Sequence, residues 1–538
     1  MPPDILAQNI QRAMALFQRR AFAEAQSSCQ NILLQFGEEA NALMILGLIQ
    51  LEAGQSNFAI GFLERARAAN LSHIHVLANL GIAYRSVGRL SEARGALESA
   101  LQIDWKFAIA HTSLGNVLLD MGDRVGAKRS YERAVAAQPN AVDAIANLAR
   151  IAEESHRLSD ALRLSQRALT LMPGHSLAGL TLARALQRSG ETERAVTEYE
   201  RLLRAASLSQ TNRIVVAGYM GEGLEKLGRY HEAFAAFKEA NDAQFALHAQ
   251  DFGAESGFLS PVRVAGLTSF IEQEDLSLWT VSPPVDRVPV FLIGFPRSGT
   301  TLLDQILSSH PDVTTLEERD TLIDVCRELL GSSIDPRRWR DLADSDVERL
   351  RELYWTQVRA GLSSDLARRV FVDKLPLNAV LLPLIYRLFP TAKIVLALRD
   401  PRDSVLSCFQ QRFGMNGAMY QLLRLETAVS YYDQVMRLVQ LCRGKLSLQF
   451  HALRYEDVVT QFDGTIESLL QFLDLSWDDN VRNYAETAKS RSIGTPSASQ
   501  VVQPLYVSAI GKWRNYRREL EPHLAKLGPW VATYGYEP

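Results

Sequence analysis

The sequence predicts a chain in two parts: an α-solenoid of helical repeats, followed by an α/β domain with a P-loop-like, mostly parallel sheet flanked by helices. Three observations predict it. A period of 34 residues runs through the first half, marked by Gly54, Gly88, Gly122, His156 and Gly190 and by Ala59, Ala93, Ala127, Ala161 and Ala195. In the second half, the apolar run from Val288 to Ile293 leads into a glycine-bearing turn. Apolar residues then recur at helical spacing: Leu302, Leu303, Ile306 and Leu307. Further apolar runs, at Val370 to Val372 and in AKIVLAL, are each followed by a polar turn and a helical pattern, as in a parallel sheet.

The period extends beyond its clearest copies. Ala25 continues it backward, Gly228 with Ala233 continues it forward after a four-residue insertion, and Pro139 and Pro173 mark two repeat ends, giving about six to seven copies. Gly47, Gly81 and Gly115 fall inside first helices, where glycine costs roughly 1 kcal/mol of helix propensity; close approach of neighbouring helices is the compensation. The phasing resembles the tetratricopeptide repeat. That resemblance implies two antiparallel helices per copy, stacked because one pair cannot bury its apolar face alone, and a groove that takes a peptide or partner protein. The repeats are expected over residues 1–240. ESGFLSP and the Pro283–Pro284 pair break the period, so 241–285 reads as a connecting helix and linker and 286–538 as the second domain.

In VPVFLIGFPRSGTTLL, strand, tight turn and helix bring loop N–H groups and the positive end of a helix onto one anion. Gly294, four residues and Gly299 fit the start of a nucleotide-binding Walker loop, but Thr300 stands where its lysine belongs, and the cation is Arg297 inside the loop. Here the sequence resembles the sulfotransferases, and in its arginine most resembles the tyrosylprotein sulfotransferases. The resemblance implies that Arg297, Ser298, Gly299, Thr300 and Thr301 hold the 5′-phosphosulfate of 3′-phosphoadenosine 5′-phosphosulfate (PAPS).

The later motifs follow in order. Val313 to Leu316 reads as a strand ending at Glu317–Glu318, and a strand-end carboxylate beside a phosphate loop is a candidate general base. The family's catalytic base lies in a Glu-Glu pair 21 residues after the loop arginine, which implies Glu318 here, with Glu317 as the alternative. IDPRRWRD, with Arg337, Arg338 and Arg340, is a basic cluster that could attract an acidic substrate; the favoured reading is a solvated face leading into a helix around Asp344 to Ala360. Asp373-Lys374-Leu375-Pro376 follows a strand, and the family places a catalytic lysine at a Lys-x-Pro of this kind, which implies Lys374. Arg399 and, eight residues on, Ser407 match the family's 3′-phosphate motif. Arginine suits the task because its planar fork binds two phosphate oxygens. Arg402 and Asp403 read as charges at a helix start. The family's further arginine falls on Gln411, with Arg412 one later, so a third phosphate contact is left open. Met415 to Cys442 reads as a long helix and LSLQF as a strand. Tyr455 after it is implied near the donor, or packs as a ring. Ser497 and, fifteen residues later, Lys512 before Trp513 reproduce a last family spacing. They imply a serine that stabilises the transferring group and a lysine on a donor phosphate.

Composition narrows the classes. The net charge of −3 gives no global basic field for nucleic acid or a membrane surface. Cys29, Cys326, Cys408 and Cys442 are scattered without a C-x-x-C pair, which disfavours a disulfide framework or zinc site and suits a reducing compartment. The N-terminal residues lack a secretory pattern and no run approaches the roughly 18 apolar residues of a membrane span, so a soluble cytoplasmic chain is expected. The expected activity is transfer of a sulfuryl group from PAPS to a hydroxyl, with Glu318 taking the proton and Arg297, Lys374 and Ser497 stabilising charge, without a metal. The expected acceptor is protein tyrosine, bound through the repeat groove. Carbohydrate or a small phenol, a nucleotide phosphotransferase, and a non-catalytic scaffold are the alternatives.

Overall fold

The structure is a computed structural model that describes residues 3–206, 208–252, 257–276, 279, 282–283, 285–330, 336–362, 368–489 and 507–537. The chain divides into two compact units, residues 1–208 and 209–538.

The first unit is six helix pairs, from Pro3–Gln18 with Phe22–Phe36 to Ser176–Arg188 with Thr192–Arg204. The alanine series is its seam: Ala25, Ala59, Ala93, Ala127, Ala161 and Ala195 are all wholly buried. The interior glycines are there for contact. A Cβ on Gly81 would lie 2.5 Å from Leu97, and one on Gly115 2.5 Å from the Tyr131 ring. The other glycine series has a backbone cause. Gly54, Gly88, Gly122 and Gly190 all turn between paired helices with φ of 72–90°. The same place in two other repeats holds Arg20 at φ 60° and His156 at φ 56°, where a side chain crowds the following carbonyl. His156→Gly should therefore stabilise the first unit by about 1 kcal/mol, read as a higher midpoint in chemical unfolding. A lower midpoint would mean that contacts of the imidazole outweigh the strain.

A seventh pair, Gln210–Lys226 with Tyr230–Leu247, continues the repeat phase but falls in the second unit. The division by compactness thus precedes this pair, while the repeat phase runs through it.

The rest of the second unit is built on five parallel strands in the order β2-β3-β1-β4-β5: β1 Val290–Gly294, β2 Val313–Glu317, β3 Val370–Lys374, β4 Lys393–Leu398 and β5 Gln449–Arg454. β1 is buried throughout because it is central and covered on both faces. Its alternate residues serve different layers. Val290 and Leu292 join Leu302, Leu303, Ile306 and Leu307 of the loop helix Thr300–Ser309, with Ile466, Leu469 and Leu470 beyond. Phe291 packs on Tyr354 of helix Asp344–Gly361 and on Phe389, with ring centroids 6.1 and 6.2 Å away. The long helix expected from Met415 to Cys442 is two, Gly417–Gln421 and Leu425–Lys445. Arg424 between them takes extended geometry, φ −129° and ψ 138°, with its guanidinium 3.8 Å from the Phe245 ring centroid. Among the described residues no helix is long and apolar enough to cross a membrane.

Candidate functional site

Parallel strands end on one edge of their sheet, and each of the five delivers a residue singled out by sequence. The loop after β1 carries Arg297, β2 ends at Glu317 with Glu318 next, β3 ends at Lys374, β4 is followed by Arg399 and β5 by Tyr455. The register sets Lys374 abreast of Leu292 on one side and Glu317 on the other.

The phosphate-loop candidate has the backbone that its sequence demands. Gly299, at φ 98°, caps the loop helix, and a Cβ there would also meet Tyr455 at 2.9 Å. A Cβ on Gly294 would strike the Ala397 carbonyl oxygen at 2.6 Å, so β1 and β4 approach only through glycine. Arg297 itself sits at φ 67°, in the left-handed region. Its Nε donates to the Ser407 hydroxyl at 3.0 Å. Arg399 donates to the Arg297 carbonyl at 3.2 Å and to the Ala509 carbonyl at 2.7 Å, and lies 5.1 Å from the Tyr455 ring centroid. Arg297, Ser407, Arg399 and Tyr455 thus form one contact chain. Ser298, Thr300 and Thr301 are buried beside it. Among the described residues the Ser298 hydroxyl and Arg399 Nε are buried without a hydrogen-bond partner, which suits a site for an anion with several oxygens.

The second group is Lys374 with the two glutamates. Lys374 is 0% exposed, and a buried ammonium is tolerable only when paired. Its Nζ donates to Glu318 at 2.9 Å and to Glu317 at 3.4 Å. Glu318 lies one residue beyond β2 at φ 45°, its N–H donating to the Lys374 carbonyl at 2.8 Å. Arg297 and Glu318 are two of the five non-glycine residues with positive φ among those described. Strain of this kind persists only where its surroundings over-determine it, and it gathers at functional sites.

The structural contacts of three carboxylates escaped the sequence reading. Asp373, before Lys374, is wholly buried and accepts from the hydroxyls of Thr321 at 2.8 Å and Tyr354 at 3.0 Å. Burial lifts its carboxyl to about 6 against the lowering pull of those bonds and of Lys374. A charged residue closing the apolar run VFVDK was the available signal. Asp403 does more than start a helix: it accepts from the N–H groups of Gly511 and Trp513, at 2.7 and 2.8 Å, and so fixes the turn that carries Lys512. Burial raises its pKa, opposed chiefly by Arg399. Glu225 accepts from Lys512 Nζ at 2.6 Å. No local pattern marked it.

Two remaining sequence candidates turn elsewhere. Arg412 stacks 3.6 Å from the Tyr219 ring centroid and donates to Glu222 at 3.1 Å and to the Val215 carbonyl at 3.2 Å, so its guanidinium engages helix Gln210–Lys226. The basic cluster forms a short helix, Arg337–Arg340, in which Arg340 pairs with Asp341 at 2.7 Å and Glu274 at 3.4 Å. Ser497 lies outside the described residues. No group of three or more His, Cys, Asp or Glu side chains among the described residues is placed to hold a metal.

Comparison with known proteins agrees with both halves. Residues 289–479 match the sulfotransferase family model, and residues 112–176 and 152–210 match tetratricopeptide repeat models. An uncharacterized protein of Aquifex aeolicus is 28% identical over 62% of this chain, a match that spans 43% of its own length. Protein-tyrosine sulfotransferase 1 of Danio rerio is 27% identical over 50% of this chain and 75% of its own, and the Homo sapiens protein of that name is 28% identical over 47% and 70%. The chain carries a sulfotransferase domain together with tetratricopeptide repeats.

Proposed function

We propose that this sulfotransferase domain moves a sulfuryl group from PAPS to a hydroxyl, with protein tyrosine as acceptor and the repeat array as the binding surface for the acceptor protein. The observation that carries the reading is the single sheet edge on which Arg297, Glu318, Lys374 and Arg399 arrive from the ends of four strands.

In this reading the loop from Arg297 to Thr301 takes the 5′-phosphosulfate, with helix N–H groups and the arginine as donors. Arg399, Ser407 and Lys512 take the donor's other phosphate, and Tyr455 packs under them. The acceptor oxygen attacks sulfur as the bond from sulfur to the bridging oxygen of the 5′-phosphate breaks, releasing 3′-phosphoadenosine 5′-phosphate (PAP). The acceptor proton passes to Glu318. A phenol has an ordinary pKa near 10 and a glutamate about 4.3, so proton transfer accompanies attack rather than preceding it. Lys374 carries three N–H donors, enough to keep a glutamate while one turns to the sulfuryl oxygens or the departing phosphate. Ser497 is proposed to add a further hydrogen bond to the transferring group. The domain bounds proposed are 1–240, 241–285 and 286–538. Thr300 in place of a Walker lysine argues against a phosphotransferase.

The test is incubation with labelled PAPS and separate pools of tyrosine peptides, glycans and small phenols. Label in the peptides alone supports the acceptor assignment; label only in glycans or phenols replaces it. PAP should raise the thermal midpoint by mass action, and ATP with magnesium should raise it much less. Arg399→Ala should weaken PAP roughly tenfold to a hundredfold, the loss of one charge-assisted hydrogen bond. Equal stabilisation by ATP, or an unchanged PAP affinity in the variant, would remove the phosphate assignment of Arg399.

A further inference from the structure

Three donors from the sulfotransferase domain converge on one carboxylate of the last helix pair. Lys512 Nζ reaches Glu225 Oε2 at 2.6 Å, and the Tyr516 hydroxyl and Gln410 Nε2 reach Oε1 at 2.6 and 2.7 Å. They stand 287, 291 and 185 residues further along the chain, so packing of the repeat pair itself does not call for them. The rest of that helix face is turned to the same task. Val215, Gly218, Tyr219, Glu222 and Glu225 share one stripe of helix Gln210–Lys226. Arg412 lies along it, so close that a Cβ on Gly218 would meet Arg412 Cδ at 3.1 Å. Lys512 is therefore fixed twice. Its backbone turn hangs from Asp403 through the N–H groups on either side, and its ammonium is held by Glu225. Asp403 belongs to helix Pro401–Gln410, which also carries Ser407 and follows Arg399.

We infer that Glu225 is a positioning residue for the donor: it holds the Lys512 ammonium at the site of the donor phosphate, which makes the last helix pair part of the donor site. The inference rests on the sulfotransferase reading above. An ammonium has three donors, and the one given to Glu225 leaves two for phosphate oxygens. A lysine is otherwise a long, freely rotating side chain, and ordering it in advance removes that cost from donor binding. The repeats would then touch the chemistry through one ion pair as well as through any acceptor groove.

The experiment is a double-mutant cycle on the full chain, with PAP as the probe and its Kd measured by calorimetry. Glu225→Ala should raise the Kd roughly tenfold, and in a Lys512→Met background the same substitution should change it little, because it acts through that lysine. Glu225→Gln keeps the shape and the bonds to Tyr516 and Gln410 while losing the charge, and its Kd should fall between parent and Ala. With PAPS as varied substrate, Glu225→Gln should raise KM and leave kcat within about threefold, since binding common to ground and transition states is lost. Independent, multiplying effects of the two substitutions would mean a merely structural role and overturn the inference. PAP binding as tight as the parent's, or tighter, in Glu225→Ala would overturn it too, the latter by making the carboxylate a competitor of the phosphate. If Arg399→Ala weakens PAP binding as expected and Glu225→Ala does not alter it, the inference fails and the donor reading stands. If PAP does not bind the parent protein, both fail.

Discussion

Glu318→Gln is expected to lower kcat by about 10²–10⁴-fold, the usual range for loss of a general base, while PAP affinity stays within about threefold of the parent. The substitution keeps the side-chain shape and an oxygen for Lys374, now 2.9 Å away, to bond. On the proposed mechanism, what it removes is the place for the acceptor proton. Glu317→Gln is the internal control. Glu317 is the last residue of β2, in register with Lys374, and its Oε1 is the longer partner at 3.4 Å. It should cost less than tenfold if its part is to share the buried ammonium. The reverse ranking would move the base to Glu317, and two active variants would place it on another residue. Turnover is read with labelled PAPS and a tyrosine peptide, PAP affinity by calorimetry, so a folding defect is separated from a chemical one.

How much of this was legible in the sequence depended on how local the signal was. The repeats were legible because a turn residue recurring every 34 positions reports a backbone need, and Gly54, Gly88, Gly122 and Gly190 do hold positive φ. His156 occupies the same turn without being glycine, and phase alone identified it. The five-strand edge was legible for a similar reason: an apolar run with a charged or glycine-bearing end reads as a strand whose last residues are presented, and Lys374, Arg399 and Glu317 all sit at such ends. Their roles remain our proposal; their common edge follows from parallel strands. The interactions of Asp403 and Glu225 were not legible. Their partners lie 108 to 291 residues away, and nothing in the residues around Glu225, in GEGLEKLG, distinguishes it from a solvated carboxylate at a helix end. The break at Arg424 escaped for the same reason, since the aromatic ring it meets, Phe245, is on a distant helix.

That long-range wiring decides the expected behaviour of truncated chains. A fragment beginning near Ala240 contains every donor motif that the sequence supplies, and on sequence grounds alone it would bind PAP nearly as the whole chain does. The geometry predicts otherwise. Cutting there removes helix Gln210–Lys226 and the first half of Tyr230–Leu247 from a unit that begins at residue 209. Phe234, stacked on Phe409 with centroids 5.0 Å apart, would be lost, as would Tyr230 against Tyr516 at 5.5 Å. Phe409 and Tyr516, both buried in the whole chain, would meet water. Fully burying one large apolar side chain contributes roughly 1.5–3 kcal/mol, so two such losses consume a large share of a domain's net stability of about 5–15 kcal/mol. Lys512 and Arg412 would lose Glu225 and Glu222 at the same cut. A fragment of residues 209–538 should unfold cooperatively and be stabilised by PAP, with a Kd within about threefold of the full chain's. The fragment of residues 240–538 should aggregate or, where it stays in solution, bind PAP at least about tenfold more weakly. Calorimetry and thermal unfolding on the two fragments and the full chain make the comparison. Equal PAP affinity in all three would separate the donor site from the seventh helix pair and return the functional boundary to residue 240.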